Sequence, residues 1–239
     1  MREARRQKNI KEADVPSVCL LDPDGDLVRH LRRTGRAKPF EGWPCYHTEL
    51  DVFCLAGRDV GIVGRAVGAS FAVLVAEELF ASGCRLLISL TSSGQIVASG
   101  PPPYFIIIDR ALRDEGTSYH YAPPSEYASA CPQLLAAAVE AAKRDGPRTI
   151  SGSTWTTDAP FRETSEAIQA AADKGILAVE MEAAALYAFA MATGCKVLCL
   201  AHVTNTMAQS GADFDKGEDD GTVDALAVLG SIVGALAEG

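Results

Sequence analysis

The sequence predicts an α/β fold: a single domain of three layers, α/β/α, around a mixed and twisted central sheet. Three observations carry that expectation. "CRLLISL" and "KVLCLAHV" are short apolar runs without polar alternation, the pattern of strands covered on both faces. Between such runs lie alanine-rich helical stretches, among them "PQLLAAAVEAAKRDG". The chain has 239 residues and is 48% hydrophobic, enough for one large core.

Taken in order, the charged opening "MREARRQKNIKEAD" lacks the apolar region of a targeting peptide. Residues 1–15 read as a flexible segment ahead of a domain spanning 16–239. A short helix over "DLVRHLRRTG" exits at Gly35. "TELDVFCLAGRDVGIVG" reads as two strands joined by a turn that contains Gly57. "ASFAVLVAEELFASG" is a buried helix ended by Gly83, "CRLLISL" a buried strand and "TSSG" a small polar turn. "YFIIIDRAL" is another strand, and "PQLLAAAVEAAKRDG" and "TSEAIQAAADKG" are helices closed by glycine. "KVLCLAHV" is a further strand, and residues 222–237 form the last helix. The glycine-rich "GIVGRAVG" lacks the G-x-G-x-x-G order and is not read as a dinucleotide loop.

Composition excludes several function classes. A net charge of −9 argues against nucleic acid and anionic membrane as partners, and no apolar stretch reaches transmembrane length. Seven cysteines occur without a CxxC pair or a ligand cluster with histidine, which fits buried thiols in a reducing cytoplasm and no metal site.

Sheets of this kind bind ligands where loops leave the strand ends. Those loops follow "LLISL", surround "TWTTDAPFRET", include "VEME", and follow "LAHVTN". "VEME" places Glu180 and Glu182 either side of Met181, where a buried strand turns into a buried helix. Carboxylates in such a place are paired, solvated or used, because burying an unpaired charge is costly. Residues i and i+2 share a face only in extended backbone, so the two glutamates converge only if the helix begins around or after Met181. Alternatively both are first-turn residues favoured by the helix dipole.

The ordered set "VEMEAAALYAFA", "TWTTDAPFRET" and "RALRDEGTSYHYAPPSE" resembles the nucleoside phosphorylase family, which includes uridine phosphorylase, purine nucleoside phosphorylase and nucleosidases. "LDPDGD", "GRAVGASFAVLVAEEL" and "LISLTSSGQI" are weaker matches in the same order. The "TTDAPFRET" form is most similar to the uridine-phosphorylase-like branch. The resemblance implies that Glu180, Met181 and Glu182 line a ribose site, with Glu182 catalytic. The chemistry is consistent with that role. Carboxylates accept from the 2′ and 3′ hydroxyls, and they stabilise the positive charge that develops at C1′ as the glycosidic bond stretches. Met181 offers a polarizable apolar surface under the sugar.

The resemblance also assigns "TWTTDAPFRET" to the nucleobase. Phe161 would stack on the ring, Arg162 would donate to a carbonyl oxygen, and Thr157 and Asp158 would shape the loop. Alternatively Phe161 is core and Arg162 pairs with Glu163 or Glu166. Tyr119, His120 and Tyr121 form an aromatic cluster read mainly as packing. Purine-acting relatives carry an aspartate after the strand matching "LAHVTN", where this chain has Asn205. An amide donates a hydrogen bond but is no general acid, so Asn205 in this catalytic position favours a pyrimidine or an oxygen-stabilised leaving group. Asp213 and Asp215 are alternatives in the following loop.

The anion site departs from the family pattern. Leu21 and Gly25 stand where phosphorylases of the family have glycine and arginine, and Ser89 stands where a second arginine is usual. Ser92, Ser93 and Gly94 remain as candidates for a small anion nest, and Arg65 as the replacement cation. The resulting expectation is a uridine-phosphorylase-like pentosyltransferase of nucleoside salvage. It would be a cytoplasmic homo-oligomer, hexamer or dimer, with inorganic phosphate as co-substrate and no metal or organic cofactor. The alternatives are a nucleosidase using water and a non-catalytic nucleoside-binding relative.

Overall fold

The alternation of side chains along an extended backbone decides how the core divides. In strand β1 (Val18–Asp22), Cys19 and Leu21 point into one apolar cluster while Val18 and Leu20 point into another. The computed structural model describes residues 1–10, 13–143, 146–206 and 216–236. The first cluster is closed by helices α3 (Ala69–Phe80) and α6 (Ala183–Thr193), the second by α2 (Asp26–Arg33), α4 (Pro132–Ala142) and α7 (Thr222–Leu236). These two helical layers cover both faces of a mixed sheet, as the apolar strands predict.

The remaining strands are β2 (Ala37–Pro39), β3 (Asp51–Leu55), β4 (Arg58–Gly64), β5 (Leu86–Gln95) and β6 (Tyr104–Asp114). They are followed by β7 (Tyr127–Ser129), β8 (Thr149–Thr157), β9 (Ala178–Glu180) and β10 (Lys196–Thr206). β1 lies between β4 and β5, parallel to both. β3 and β4 form the expected hairpin, its turn made by Ala56 at φ 50° and Gly57 at φ 74°. On the other side β5 pairs with β10, β10 with β6, β6 with β8, β8 with β9, and β9 with β5 again. That half of the sheet closes on itself, a feature the run of apolar strands does not reveal.

Two local expectations need correction. "TSSG" is no turn: Ser92, Ser93 and Gly94 continue β5, paired along β10, because the closed ring supplies a partner on that side. Thr154–Thr157 belongs to β8, so the loop begins only at Asp158. In the N-terminal segment, α1 (Arg2–Lys8) carries a buried Arg5 whose guanidinium donates to the Ala13 carbonyl at 3.2 Å. All seven cysteines are free, and no helix among the described residues is long and apolar enough to cross a membrane.

Candidate active site

The turn from β9 into α6 is built by one side chain. The Glu180 carboxylate accepts from the Thr154 hydroxyl at 3.1 Å and the Thr156 hydroxyl at 2.5 Å through Oε1. Its Oε2 accepts the backbone N–H groups of Glu182 and Ala183, both at 2.7 Å. Glu180 therefore caps α6 from outside the helix and neutralises the positive end of its dipole. Thr156 closes the arrangement by accepting the Ala184 N–H at 2.9 Å. The helix starts at Ala183, after Glu182, as convergence of the two glutamates requires.

Burial separates the two carboxylates. Glu180 is 3% exposed and Glu182 2% exposed. With four donors on its two oxygens, Glu180 has a built-in role. Glu182 is different. Its Oε1 accepts the N–H of Gly68 at 2.7 Å, while Oε2 makes no hydrogen bond to any described residue. Gly68 precedes α3 at φ 89°, a left-handed conformation that turns its N–H toward the glutamate. Burial first, and then the charge of Glu180, push the Glu182 carboxyl up to about 8, opposed by the Gly68 N–H and the Thr91 hydroxyl. Burial also raises Glu180, whose hydrogen bonds oppose it. A buried carboxylate whose Oε2 accepts no hydrogen bond from any described residue is suited to a ligand hydroxyl. Met181, between them, is half-buried.

Sheet register gathers the other strand-borne candidates beside this turn. Gly94 pairs with Asn205 of β10 on one side and with Val179 of β9 on the other. Thr156 pairs with Glu180, so Thr157 ends the strand alongside it. The Thr157 hydroxyl accepts the Ala159 N–H at 3.1 Å, and Asp158 accepts the Gly116 N–H at 2.9 Å, so both shape the following loop. Phe161 and Arg162 sit on a 3₁₀ turn beyond it, exposed, with Phe161 wholly in solvent. Phe161 is thus not core, and Arg162 forms no ion pair with Glu163 or Glu166 among the described residues. Asn205 is half-buried and donates to the Thr206 carbonyl at 3.3 Å. Asp213 and Asp215 lie outside the described residues. Tyr121 packs edge-on against Phe189, the structural role expected for the aromatic cluster.

The anion candidates are arranged differently from expectation. Ser92 donates from its backbone N–H to Asp24 Oδ2 at 2.8 Å and from its hydroxyl to Asp24 Oδ1 at 2.9 Å. Ser93 is buried, its hydroxyl without a partner among the described residues, and Gly94 is in the strand ladder, so these three residues form a strand and not a turn-shaped nest. Asp22, two residues before Asp24, accepts the Val28 N–H at 2.9 Å and is pushed up to about 7, chiefly by burial. Arg65 is exposed in the left-handed conformation at φ 66°, and its side chain lies over Gly25, where a Cβ would stand 2.9 Å from Arg65 Cγ. It borders a surface cavity of about 580 Å³ with Tyr46, His47 and Thr48. Arg29 and Arg32, on the same cavity, are tied to Asp26 and Asp220 and to Glu49 and Asp51, whereas Arg65 has no ion pair among the described residues.

Asp24, Gly68, Thr154 and Thr156 were not singled out from the sequence. A glycine ahead of a helix was the one signal available for Gly68; the others depend on register and loop packing.

A buried carboxylate with one oxygen hydrogen-bonded and the other open is the candidate small-molecule site of this mixed α/β fold. The chain belongs to the nucleoside phosphorylase family: the phosphorylase superfamily profile matches residues 18–233. It is 30% identical over 201 residues to a DeoD-type purine nucleoside phosphorylase of Bacillus cereus, covering 82% of this chain and 84% of that one. It is 27% identical over 162 residues to a guanosine phosphorylase of Halorubrum lacusprofundi, covering 66% and 67%. In fold it is similar to uridine phosphorylase from Vibrio fischeri, with a TM-score of 0.78 at 20% identity, covering 98% of this chain and 99% of that one.

Proposed function

We propose that this chain cleaves the N-glycosidic bond of a nucleoside and transfers the ribosyl group to inorganic phosphate, giving free base and ribose 1-phosphate. The observation that carries this reading is Glu182: buried, with one oxygen held by Gly68 and the other without a donor. A ribose hydroxyl supplies that donor. As the C1′–N bond stretches, its electron pair leaves with the base, and the ionised carboxylates counter the charge on the sugar. A phosphate oxygen then forms the new bond to C1′. Glu180 holds the turn and contributes its charge, and Met181 contributes apolar surface.

A uridine-like substrate is the finer part of the reading. Asn205 beside Gly94 stabilises a leaving pyrimidine by donating a hydrogen bond but supplies no proton to a purine. Phe161 and Arg162 would reach the base when the exposed loop folds over it. By family resemblance we take the protein to be a cytoplasmic homo-oligomer, hexamer or dimer, needing no metal or organic cofactor. A second reading, hydrolysis by water, is favoured by one observation: the donors of Ser92 are already occupied by Asp24. A nucleoside panel assayed with and without phosphate, following base and ribose 1-phosphate, tests both. Strict phosphate dependence supports the first, indifference supports the second, and binding without turnover removes both.

A further inference from the structure

The two donors of Ser92 are the natural contacts for an oxyanion, and both are spent on an internal one. The Asp24 carboxylate lies across them with Oδ2 on the N–H at 2.8 Å and Oδ1 on the hydroxyl at 2.9 Å, the two-point grip a phosphate would take. The cavity bordered by Asp22, Asp24, Asp26, Thr91 and Ser92 is only about 20 Å³, room for a water and not for a phosphate. Asp24 is nonetheless an exposed residue on a loop, and no basic side chain among the described residues is paired with it. Displacing it breaks those two hydrogen bonds, and Arg65, over the adjoining Gly25, has no ion pair among the described residues.

We propose that Asp24 is an internal competitor of the acceptor anion: phosphate reaches Ser92 only by displacing the Asp24 carboxylate. This rests on the reading that Ser92 faces the acceptor. It makes Asp24 a determinant of acceptor choice, since a neutral acceptor such as water needs no displacement while phosphate must overcome both the lost hydrogen bonds and the repulsion of a like charge. The weaker phosphate binds, the larger the share of turnover left to water.

The test is a phosphate titration of the full chain, read by phosphorus NMR or calorimetry, alongside base release as a function of phosphate. Asp24→Ala is expected to tighten phosphate binding by about tenfold or more, the size of one charge-assisted contact regained. Asp24→Asn, which keeps an oxygen for Ser92 and loses the charge, falls between. Adding Ser92→Ala to Asp24→Ala abolishes the gain. Phosphate affinity unaltered or weakened in Asp24→Ala overturns the proposal, as does a gain that survives Ser92→Ala. The readouts separate the two ideas. If phosphate binding tightens in Asp24→Ala but no nucleoside is cleaved, the competitor stands and the proposed reaction falls. If nucleosides are cleaved and phosphate affinity is unmoved, the reverse holds.

Discussion

Glu180 accepts the backbone N–H of Glu182 at 2.7 Å, so one carboxylate fixes the position of the next while the second keeps an oxygen without a hydrogen bond to any described residue. Under the proposed function the pair divides its work between architecture and chemistry. Each half of that division makes a different mutational signature.

Glu182→Gln is expected to lower kcat by orders of magnitude while leaving the fold intact, because the amide retains an acceptor for the Gly68 N–H. Steady-state kinetics with the best nucleoside of the panel checks it. Kinetics within about twofold of the parent would remove Glu182 from the reacting site.

Glu180→Ala is expected to act on stability first. It strips partners from Thr154, Thr156 and two backbone N–H groups at the start of α6. The expected loss is about 3 kcal/mol or more, read by denaturant unfolding. Unchanged stability with reduced turnover would instead make Glu180 a direct ribose ligand.

The pH dependence follows from the direction of the shifts. Glu182 rises from an ordinary 4.5 to about 8 and Asp22 from 3.8 to about 7 on folding, so the fold favours their protonated forms. Their contribution to stability is full below the ordinary carboxylate range and is lost as pH rises through about 7 and then about 8. Thermal unfolding of the free protein should show Tm falling over that window, with a smaller fall in Glu182→Gln. Turnover that needs the ionised Glu182 should rise over the same range, its midpoint in kcat/KM near 8. A profile flat from pH 6 to pH 9, as a rough bracket of that midpoint, contradicts the assignment.

Arg65→Ala should raise the phosphate KM by about tenfold without changing Tm, since the side chain is exposed and makes no ion pair among the described residues. An unmoved phosphate response would mark Arg65 as surface charge. Phe161→Ala should likewise leave Tm alone, because Phe161 lies entirely in solvent in the free chain. A raised nucleoside KM would show the loop closing on the base, and an unchanged KM would exclude Phe161 from the site.

Much of the fold was legible because periodicity is local. Runs such as "LLISL" and "VLCLA" read as strands covered on both faces, and the hairpin around Gly57 was readable from its turn residues, whereas spacing left open whether both glutamates precede the helix, which starts at Ala183, or lie in its first turn. The paired glutamates were legible as a candidate site because carboxylates at a buried strand-to-helix junction need a reason. What spacing leaves open is which oxygen finds which donor. That Glu180 is consumed by Thr154, Thr156 and two amides and that β5 runs on through Ser92 depend on segments brought together by the closed half of the sheet, and that Asp24 sits on Ser92 depends on the pairing of β1 with β5.

By itself, then, the sequence determined the element types, the two-faced core and the place where acidic side chains concentrate, since these follow from residue periodicity and the cost of buried charge. Only the tertiary structure decided which of those carboxylates is spent on the fold and which keeps an oxygen without a hydrogen bond to any described residue. Hydrogen-bond partners 24, 26, 68 and 114 residues apart in the chain are chosen by strand register and packing, and nothing local encodes them.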